Sequence, residues 1–435
     1  MFGYYLDLAL RSLKRNKVLT MLMVLSLALG IGACITTTTV LRLLSGDPLP
    51  QKSGRLFYPQ VDPNGKEGYI VGQTKPPPTM SYVDAMYLLH AHRAKRQAVV
   101  ALTSGKIAPQ QANGRPFFSD GVQTTADFFG LFDAPFQYGS SWTAADDEGG
   151  AQVIVIASFL NQKLFGGANS VGKTIRMNDH DFRVVGVLKP WSPQPRFYAL
   201  DLGGHDYGGD GDAIFLPLKT AIDLKMGPQD IECYDTVTNM DDLAAAPCRW
   251  LGVWVELPDQ AAVADYRTFL ANYVREQVAQ GRFSRDETAL PDLVGWLRDQ
   301  QVVPDDVRLQ AGLAYGFLLI CVLNTVGLLL AKCLRRSREI GVRRALGATR
   351  GAVFAQFMVE AGIIGLVGGV LGLGFAELGL FGIRHQPAEY AGLAHLDLSM
   401  FLFTFVVALA ASLVAGLLPA WRACSVAPAP QLKAS

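Results

Sequence analysis

The chain has 435 residues, half of them hydrophobic, and its 39 basic and 38 acidic side chains give a formal net charge of +1. Its six histidines are dispersed and no nucleophile–base grouping stands out, so the sequence predicts neither a metal site nor a catalytic site. No pattern typical of nucleic-acid binding is found either. Although the net charge is close to zero, basic and acidic residues are strongly segregated along the chain.

Four stretches are long and apolar enough to cross a bilayer, which requires about 20 predominantly apolar residues. Three of these apolar runs carry no charged side chain, and the third in chain order carries only Glu360. The predicted membrane helices are residues 18–42, 309–331, 352–376 and 398–421.

The charge outside these helices predicts their orientation. Residues 43–308 contain 24 basic and 32 acidic side chains, whereas three segments that would share the other side of the membrane are basic: 1–17, 332–351 and 422–435. Lys and Arg concentrate in cytoplasmic loops. We therefore expect a membrane protein with both termini in the cytoplasm, and with residues 43–308, which we call the outer segment, and the short loop 377–397 on the other side of the membrane.

Residues 1–17 are predicted to form an amphipathic helix. Tyr5, Leu6, Ala9, Leu10 and Leu13 fall on one face at helical spacing, and basic residues follow them. This pattern is typical of a helix that lies on the inner surface of a membrane, in contact with lipid.

The outer segment alternates strand and helix patterns, which predicts an α+β domain. Two strand-and-helix blocks are expected to flank an inserted, more β-rich subdomain at about residues 114–232. The flanking strands and helices are predicted at residues 55–61, 81–92, 97–103, 250–257 and 260–279. Within the insertion, residues 174–187 alternate as a hairpin around Asn178 and Asp179.

Two cysteines, Cys233 and Cys248, fall in the outer segment, whereas the other four lie in the membrane helices or at their inner ends. An even pair in an oxidising compartment predicts a disulfide. The alternative is a pair of buried free thiols.

The segment from Gly167 to Thr174 satisfies the GxxxxGKT pattern of a P-loop. A P-loop must follow a strand and open a helix, so that backbone N–H groups and the helix dipole meet the phosphates. Here a helical pattern precedes the glycine and an alternating pattern follows the threonine. We therefore interpret the match as a coincidence without nucleotide binding.

The loop at residues 332–351 carries seven basic residues and one acid, Glu339. Ser337 is expected to cap a helix. Val342, Ala345, Leu346, Thr349 and Val353 would share one face of that helix, with Gly347 inside it. Gly in a helix interior costs about 1 kcal/mol relative to Ala, which indicates a close backbone approach at Gly347.

The third membrane helix contains two overlapping GxxxG pairs, which permit close packing of helices in lipid. They are formed by Gly365 with Gly369 and by Gly368 with Gly372. Glu360 has no second ionisable residue within the predicted membrane helices. We expect it to reach the inner surface or to be hydrogen-bonded near it.

Two stretches resemble a known family. SREIGVRRALGATRGAVFAQFMVEA is similar to the cytoplasmic loop and third membrane helix of MacB/FtsX-type ABC transporter permeases, and VIVIASFLNQKLFGGANSVGKTIRMNDHDFRVVGVL resembles the periplasmic core of the MacB type. The resemblance implies a bacterial inner-membrane protein with four membrane helices and a large extracytoplasmic α+β domain of two subdomains, one inserted in the other. It places that domain, residues 43–308, and the short loop 377–397 in the periplasm. It also implies that the basic loop forms a coupling helix on an ATPase subunit. The residues expected to contact that subunit are Arg338, Glu339, Ile340, Val342, Arg343, Arg344, Ala345, Leu346, Gly347 and Ala348.

The resemblance further implies export of a peptide, an antibiotic or a similar substrate, driven by mechanical movement of the periplasmic domains. Because seventeen residues precede the first predicted membrane helix, we expect the ATPase, with its ATP and magnesium, on a separate subunit. This chain is then expected to hold no cofactor. A second permease chain, and further a periplasmic adaptor and an outer-membrane channel, are the other expected partners. The alternatives are a lipoprotein-sorting permease, a division-type signalling permease, and a membrane ATPase that uses the P-loop pattern.

Overall fold

The computed structural model describes residues 2–64, 75–108, 115–203, 210–240, 242–386 and 389–425. In these residues the helices are α1 (Phe2–Arg15), α2 (Lys17–Ser45), α3 (Tyr82–His90), α4 (Phe128–Leu131), α5 (Ala144–Gly149), α6 (Ser158–Phe165), α7 (Leu218–Asp223), α8 (Gln260–Ala279), α9 (Leu293–Asp299), α10 (Asp305–Arg335), α11 (Ser337–Ala345), α12 (Arg350–Arg384) and α13 (Leu398–Ser425).

The strands of the same residues are β1 (Leu56–Phe57), β2 (Gln60–Val61), β3 (Met80–Ser81), β4 (Arg96–Ala108), β5 (Phe117–Thr124), β6 (Phe136–Gly139), β7 (Val153–Ile156), β8 (Thr174–Met177), β9 (His180–Leu188), β10 (Ile214–Pro217), β11 (Glu232–Cys233), β12 (Cys248–Glu256) and β13 (Thr288–Ala289). The chain divides into two compact units. We call Met1–Gly46 with Val303–Ser435 the membrane unit, and Asp47–Val302 the outer unit.

The membrane unit is built from helices. Within the described residues, four helices are long and apolar enough to cross a membrane, namely α2, α10, α12 and α13. Their shared core contains fully buried aliphatic side chains such as Leu27, Ile31 and Ala408. Each helix contains one predicted membrane segment and extends beyond it into polar residues. The backbone hydrogen bonds of a helix do not require apolar side chains, so the helix continues past the apolar stretch. Three residues of the α1 face predicted to contact lipid have side chains that lie outside the described part of the structure: Tyr5, Leu6 and Leu10.

The outer unit contains one 11-stranded sheet in the order β1-β12-β4-β5-β10-β7-β9-β6, with β3 and β11 on β12 and β8 joining β4 to β9. Strand β4 is 13 residues long and continues past Thr103, where the predicted strand ended. Its residues 96–100 pair with β12, and residues 100–107 pair with β5. The inserted stretch therefore adds its strands to the sheet of the flanking blocks.

Two cores lie along this sheet. One gathers Trp250 and Val253 of β12 with Tyr266 and Val274 of α8. The other gathers residues of α6 and of β7 to β10, such as Leu160. Strand β4 contributes to both cores, and Leu218 of the predicted insertion lies in the first of them. The α+β class predicted for this unit is confirmed.

Candidate functional site

Helix α11 joins α10 to α12 and presents apolar side chains to solvent. Leu346, directly after the helix, is 83% exposed and Val342 is 42% exposed. Ala345 is also exposed. Three neighbouring apolar groups without protein cover form a small surface, which we call the α11 patch.

The turn after α11 corrects the prediction for Gly347. The helix ends at Ala345, and Gly347 has φ +103°, a left-handed conformation that favours glycine. No heavy atom lies within 4 Å of the position that a Cβ of Gly347 would occupy, so close approach is not the reason for the glycine. A new helix, α12, begins after Thr349, whose hydroxyl accepts the Ala352 N–H at 3.2 Å. Val353 therefore belongs to α12 and is buried.

The start of α11 also differs from the prediction. Ser337 is the first residue of the helix, the cap position is Arg336, and no side chain caps it. Because α10 ends only two residues earlier, the chain passes almost directly from one helix to the next, and the Arg336 N–H is bonded to the carbonyls of α10.

Ile340 was expected on the contact surface, but in this structure it is buried within the chain. Its side chain is 6% exposed and belongs to a small core with Phe357 of α12 and with Ala420 and Ala423 of α13. An aliphatic side chain on the inner face of α11 gains stability from burial. Ile340 therefore anchors the helix and leaves Val342 and Leu346 outward.

Charged side chains flank the α11 patch. A guanidinium N–H of Arg343 donates to Glu339 Oε1 at 2.7 Å and another donates to Gln356 Oε1 at 3.3 Å, while Arg344 donates to the Cys424 carbonyl at 3.1 Å. Glu339 and Arg343 are both more than one third exposed, and exposed ion pairs of this kind contribute about 0–1 kcal/mol. Arg338 is exposed, and Ala348 is partly exposed.

A buried ion pair beneath this surface was not predicted. Lys332 Nζ contacts Glu360 Oε1, and the two side chains are 0% and 1% exposed. Ser12 of α1 donates to the same Glu360 oxygen at 2.8 Å, and Arg336 donates to the Ser12 hydroxyl at 2.5 Å. Glu360 therefore has an ionisable partner, contrary to the sequence interpretation, because α10 continues through Lys332 instead of ending before it. The sequence contained a signal for this pair: Glu360 is the single acid of an apolar helix, and Lys332 directly follows the preceding predicted membrane helix.

The four predicted packing glycines lie on two faces of α12. A Cβ added to Gly369 would lie 2.8 Å from Ala408 Cβ, and one added to Gly365 would meet Ser412, both on α13. On the other face, a Cβ on Gly372 would lie 2.9 Å from Ile31 Cγ2 and one on Gly368 would lie 3.3 Å from Leu27 Cβ, both on α2. Each GxxxG pair thus faces a different helix.

In the outer unit, Cys233 and Cys248 form a disulfide between the adjacent strands β11 and β12. The P-loop-like segment runs from the end of α6 into β8, so a strand follows it where a P-loop requires a helix. Ser170 within it donates to Asn161 Oδ1 at 2.6 Å. The segment is a hydrogen-bonded turn between a helix and a hairpin.

Comparison with known proteins places these features in a family. The family described as MacB-like periplasmic core domain matches residues 20–273, and the FtsX-like permease C-terminal family matches residues 311–428. The uncharacterized ABC transporter permease YvrN of Bacillus subtilis is 23% identical over 71% of this chain and 68% of its own length. The macrolide export ATP-binding/permease protein MacB of Nitrobacter winogradskyi is 25% identical over 71% of this chain and 43% of its own.

The chain thus spans less than half the length of that MacB protein. A solved structure, the periplasmic region of MacB from Actinobacillus actinomycetemcomitans, aligns with a TM-score of 0.37 at 14% identity, over 57% of this chain and 94% of that one. The two family matches together cover most of the sequence, one over the first membrane helix and the outer unit and the other over the remaining membrane helices. This chain belongs to the MacB/FtsX-like family of ABC transporter permeases.

Proposed function

We propose that this chain is the permease of an ABC exporter and that an ATPase subunit docks on the α11 patch. The observation that carries the proposal is the exposed pair Val342 and Leu346 on a short helix between two membrane helices. Helices that bind in a groove concentrate their binding energy in a few apolar anchors.

The charge around the patch supports the cytoplasmic side as its location. The loop is basic, and short basic loops remain in the cytoplasm. By the same rule both termini are cytoplasmic and the outer unit is periplasmic. ATP and magnesium are then held by the ATPase, and this chain performs no hydrolysis.

The buried contacts support a mechanical route from the patch to the membrane helices. Ile340 ties α11 to α12 and α13, and the ion pair of Lys332 with Glu360 ties α10 to α12. A rigid-body shift of α11 would therefore move three membrane helices together. In this proposal ATP binding and hydrolysis drive such shifts, and the periplasmic domains of two permease chains convert them into export.

The substrate class comes from the relatives. MacB proteins are named for macrolide export and PvdT of Pseudomonas aeruginosa for pyoverdine export. We propose a peptide, an antibiotic or a similar compound taken from the periplasm, with an adaptor and an outer-membrane channel as further partners.

The test is substitution of Leu346. Leu346→Asp would place an unpaired carboxylate in the apolar groove, with a penalty of several kcal/mol, so it is expected to lose both co-purification of the ATPase from the native host and transport. Leu346→Met keeps the volume and is expected to bind normally.

Both variants keep every basic residue and hence their orientation in the membrane. Retention of the Cys233–Cys248 disulfide serves as the check on folding of the outer unit. Normal ATPase binding by Leu346→Asp would mean that this loop only determines topology.

A further inference from the structure

A cavity of about 450 Å³ opens in the outer unit. One wall is α3, with Tyr82, Met86 and Leu89, and the opposite wall includes α5 and the start of α7 with Leu218. Helix α3 packs on the core of the flanking blocks, whereas α5 belongs to the inserted stretch. Clefts between two parts of a domain, with apolar walls and a few polar groups, are where small ligands bind.

Two buried polar side chains in the lining of this cavity are left unsatisfied. Gln97 and Thr125 are only 6% and 9% exposed. The Gln97 amide N–H donates to the Leu89 carbonyl, but Gln97 Oε1 and Thr125 Oγ1 have no hydrogen-bond partner among the described residues. A buried polar atom without a partner costs about 1–3 kcal/mol, and such atoms are rare in native proteins. A ligand with an N–H donor would satisfy the amide oxygen.

The charge at the mouth of the cavity is predominantly negative. Asp127, Asp147 and Glu148 line it. The basic side chains of the lining are those of His90, His92 and Lys219, and Lys219 has its Nζ 2.6 Å from Asp223 Oδ2. An excess of one sign at a partly desolvated cleft attracts the opposite charge.

Asp147 is the most enclosed of the three acids. Its two oxygens accept the Ala126 N–H and the Trp142 indole N–H, each at 2.7 Å. Burial raises the pKa of its carboxyl to about 6, although these hydrogen bonds oppose the shift. At pH 7.5 Asp147 is therefore a poorly solvated anion, which a nearby cation would stabilise.

We propose that this cavity binds a small amphipathic amine. Its apolar body lies against Met86, Leu89 and Leu218, and its protonated N–H group points to Gln97 Oε1 and to the acidic mouth. The site is built wholly within the outer unit, so the proposal is independent of ATPase docking on the α11 patch.

The binding test uses the full chain in nanodiscs of zwitterionic lipid at pH 7.5. Three probes share one ring system: 1-naphthylmethylamine, its N,N,N-trimethylammonium analogue and 1-naphthylacetate. Equilibrium dialysis is expected to show the amine binding at least about tenfold more tightly than either of the others, since it alone combines positive charge with an N–H donor. Equal binding of amine and carboxylate would overturn the proposal.

Matched variants locate the binding. Glu148 is exposed, and Glu148→Lys is expected to weaken amine binding about three- to tenfold. Glu276→Lys makes the same substitution on the exposed face of α8, outside the lining, and is expected to leave binding unchanged.

A third variant blocks the cavity. Met86→Trp would fill it and is expected to abolish amine binding while the Cys233–Cys248 disulfide and the unfolding temperature are retained. Wild-type affinity in both Met86→Trp and Glu148→Lys would show that the amine binds elsewhere and would refute this site.

Discussion

The two units of this protein bury their ionised side chains differently. In the membrane unit, Lys332 and Glu360 are both sealed from solvent. In the outer unit, Asp84 is fully buried, but its partner Arg282 keeps 32% of its side-chain surface exposed. Asp84 also accepts hydrogen bonds from Ser81 at 2.5 Å and from Tyr273 at 2.6 Å.

The difference shows what each environment demands of a buried charge. Near the end of an apolar helix bundle little water can replace a missing partner, so a charge requires a partner of opposite sign. In the outer unit, the neutral hydroxyl groups of Ser81 and Tyr273 also stabilise the Asp84 carboxylate, and Arg282 remains partly hydrated. The sealed pair is therefore the more sensitive of the two to the loss of one member.

The largest expected effect is thus Lys332→Met, which leaves Glu360 with the Ser12 hydroxyl as its remaining hydrogen-bond partner among the described residues. Removing one member of a buried pair costs about 3–5 kcal/mol. Arg282→Met, the matched change in the outer unit, is expected to cost about 1–3 kcal/mol because Asp84 keeps two hydroxyl donors. Denaturant unfolding of both full-length variants gives the comparison.

A double variant sharpens this measurement. Lys332→Met with Glu360→Leu removes both charges and is expected to recover most of the stability lost in Lys332→Met. If Lys332→Met is no less stable than Arg282→Met, the contrast between the two units is incorrect.

The structural features that depend on local composition could be predicted from the sequence. Membrane helices follow from apolar length, and the hairpin of β8 and β9 follows from strict alternation around Asn178 and Asp179, both of which have positive φ. The exposure of Val342 and Leu346 also follows from helical spacing. The fold class was therefore accessible without coordinates, and so was most of the α11 patch.

The failures come from contacts between residues distant in sequence. Glu360 meets Ser12 across 348 positions, and no local pattern records that pairing. In the sequence Ile340 cannot be distinguished from its exposed neighbours, because its burial depends on α12 and α13, which pack over it. Residues 104–106 of β4 lie beyond the end of the predicted strand, and β5 supplies their partners. Tertiary context determined each of these outcomes.

The disulfide gives the outer unit a covalent constraint, whereas the four cysteines of the membrane unit are free. Cys233 and Cys248 are 15 residues apart, and a closed loop of that length is expected to contribute about 3 kcal/mol. Cys233→Ser with Cys248→Ser should lower the unfolding free energy of the outer unit by about this amount. Peptide mapping after thiol alkylation of the non-reduced wild type should find Cys233 and Cys248 unmodified, and alkylation of both would contradict the bond.

A smaller effect is expected from pH, again in the outer unit. The raised pKa of Asp147, about 6, means that the folded state keeps a proton that the unfolded state releases nearer pH 4. The unfolding free energy contributed by this group therefore falls as pH rises from about 4 to about 6, and is constant above that range. The change is on the order of 1–3 kcal/mol.

Asp147→Asn removes this titration. The variant is expected to be less stable overall, because one of the two hydrogen bonds from Ala126 and Trp142 is lost. Its unfolding free energy should nevertheless decline less steeply than that of wild type between pH 4 and pH 6. Parallel pH profiles for the two proteins would contradict the role of Asp147.

The smallest expected effect concerns Lys173, in a segment that looks functional only in sequence. Its ammonium lies 4.9 Å from the ring centre of Phe165, and β8 begins at the next residue. No helix N-terminus follows, so the backbone cannot direct its N–H groups and dipole at a phosphate.

Lys173→Ala is therefore expected to leave ATP hydrolysis by the assembled complex unchanged, with at most the loss of a cation–π contact worth about 0.5–1 kcal/mol. The measurement is ATPase activity and nucleotide binding of wild-type and Lys173→Ala complexes side by side. A folded Lys173→Ala complex that no longer binds nucleotide would place ATP at this turn, and the outer unit would then have to face the cytoplasm.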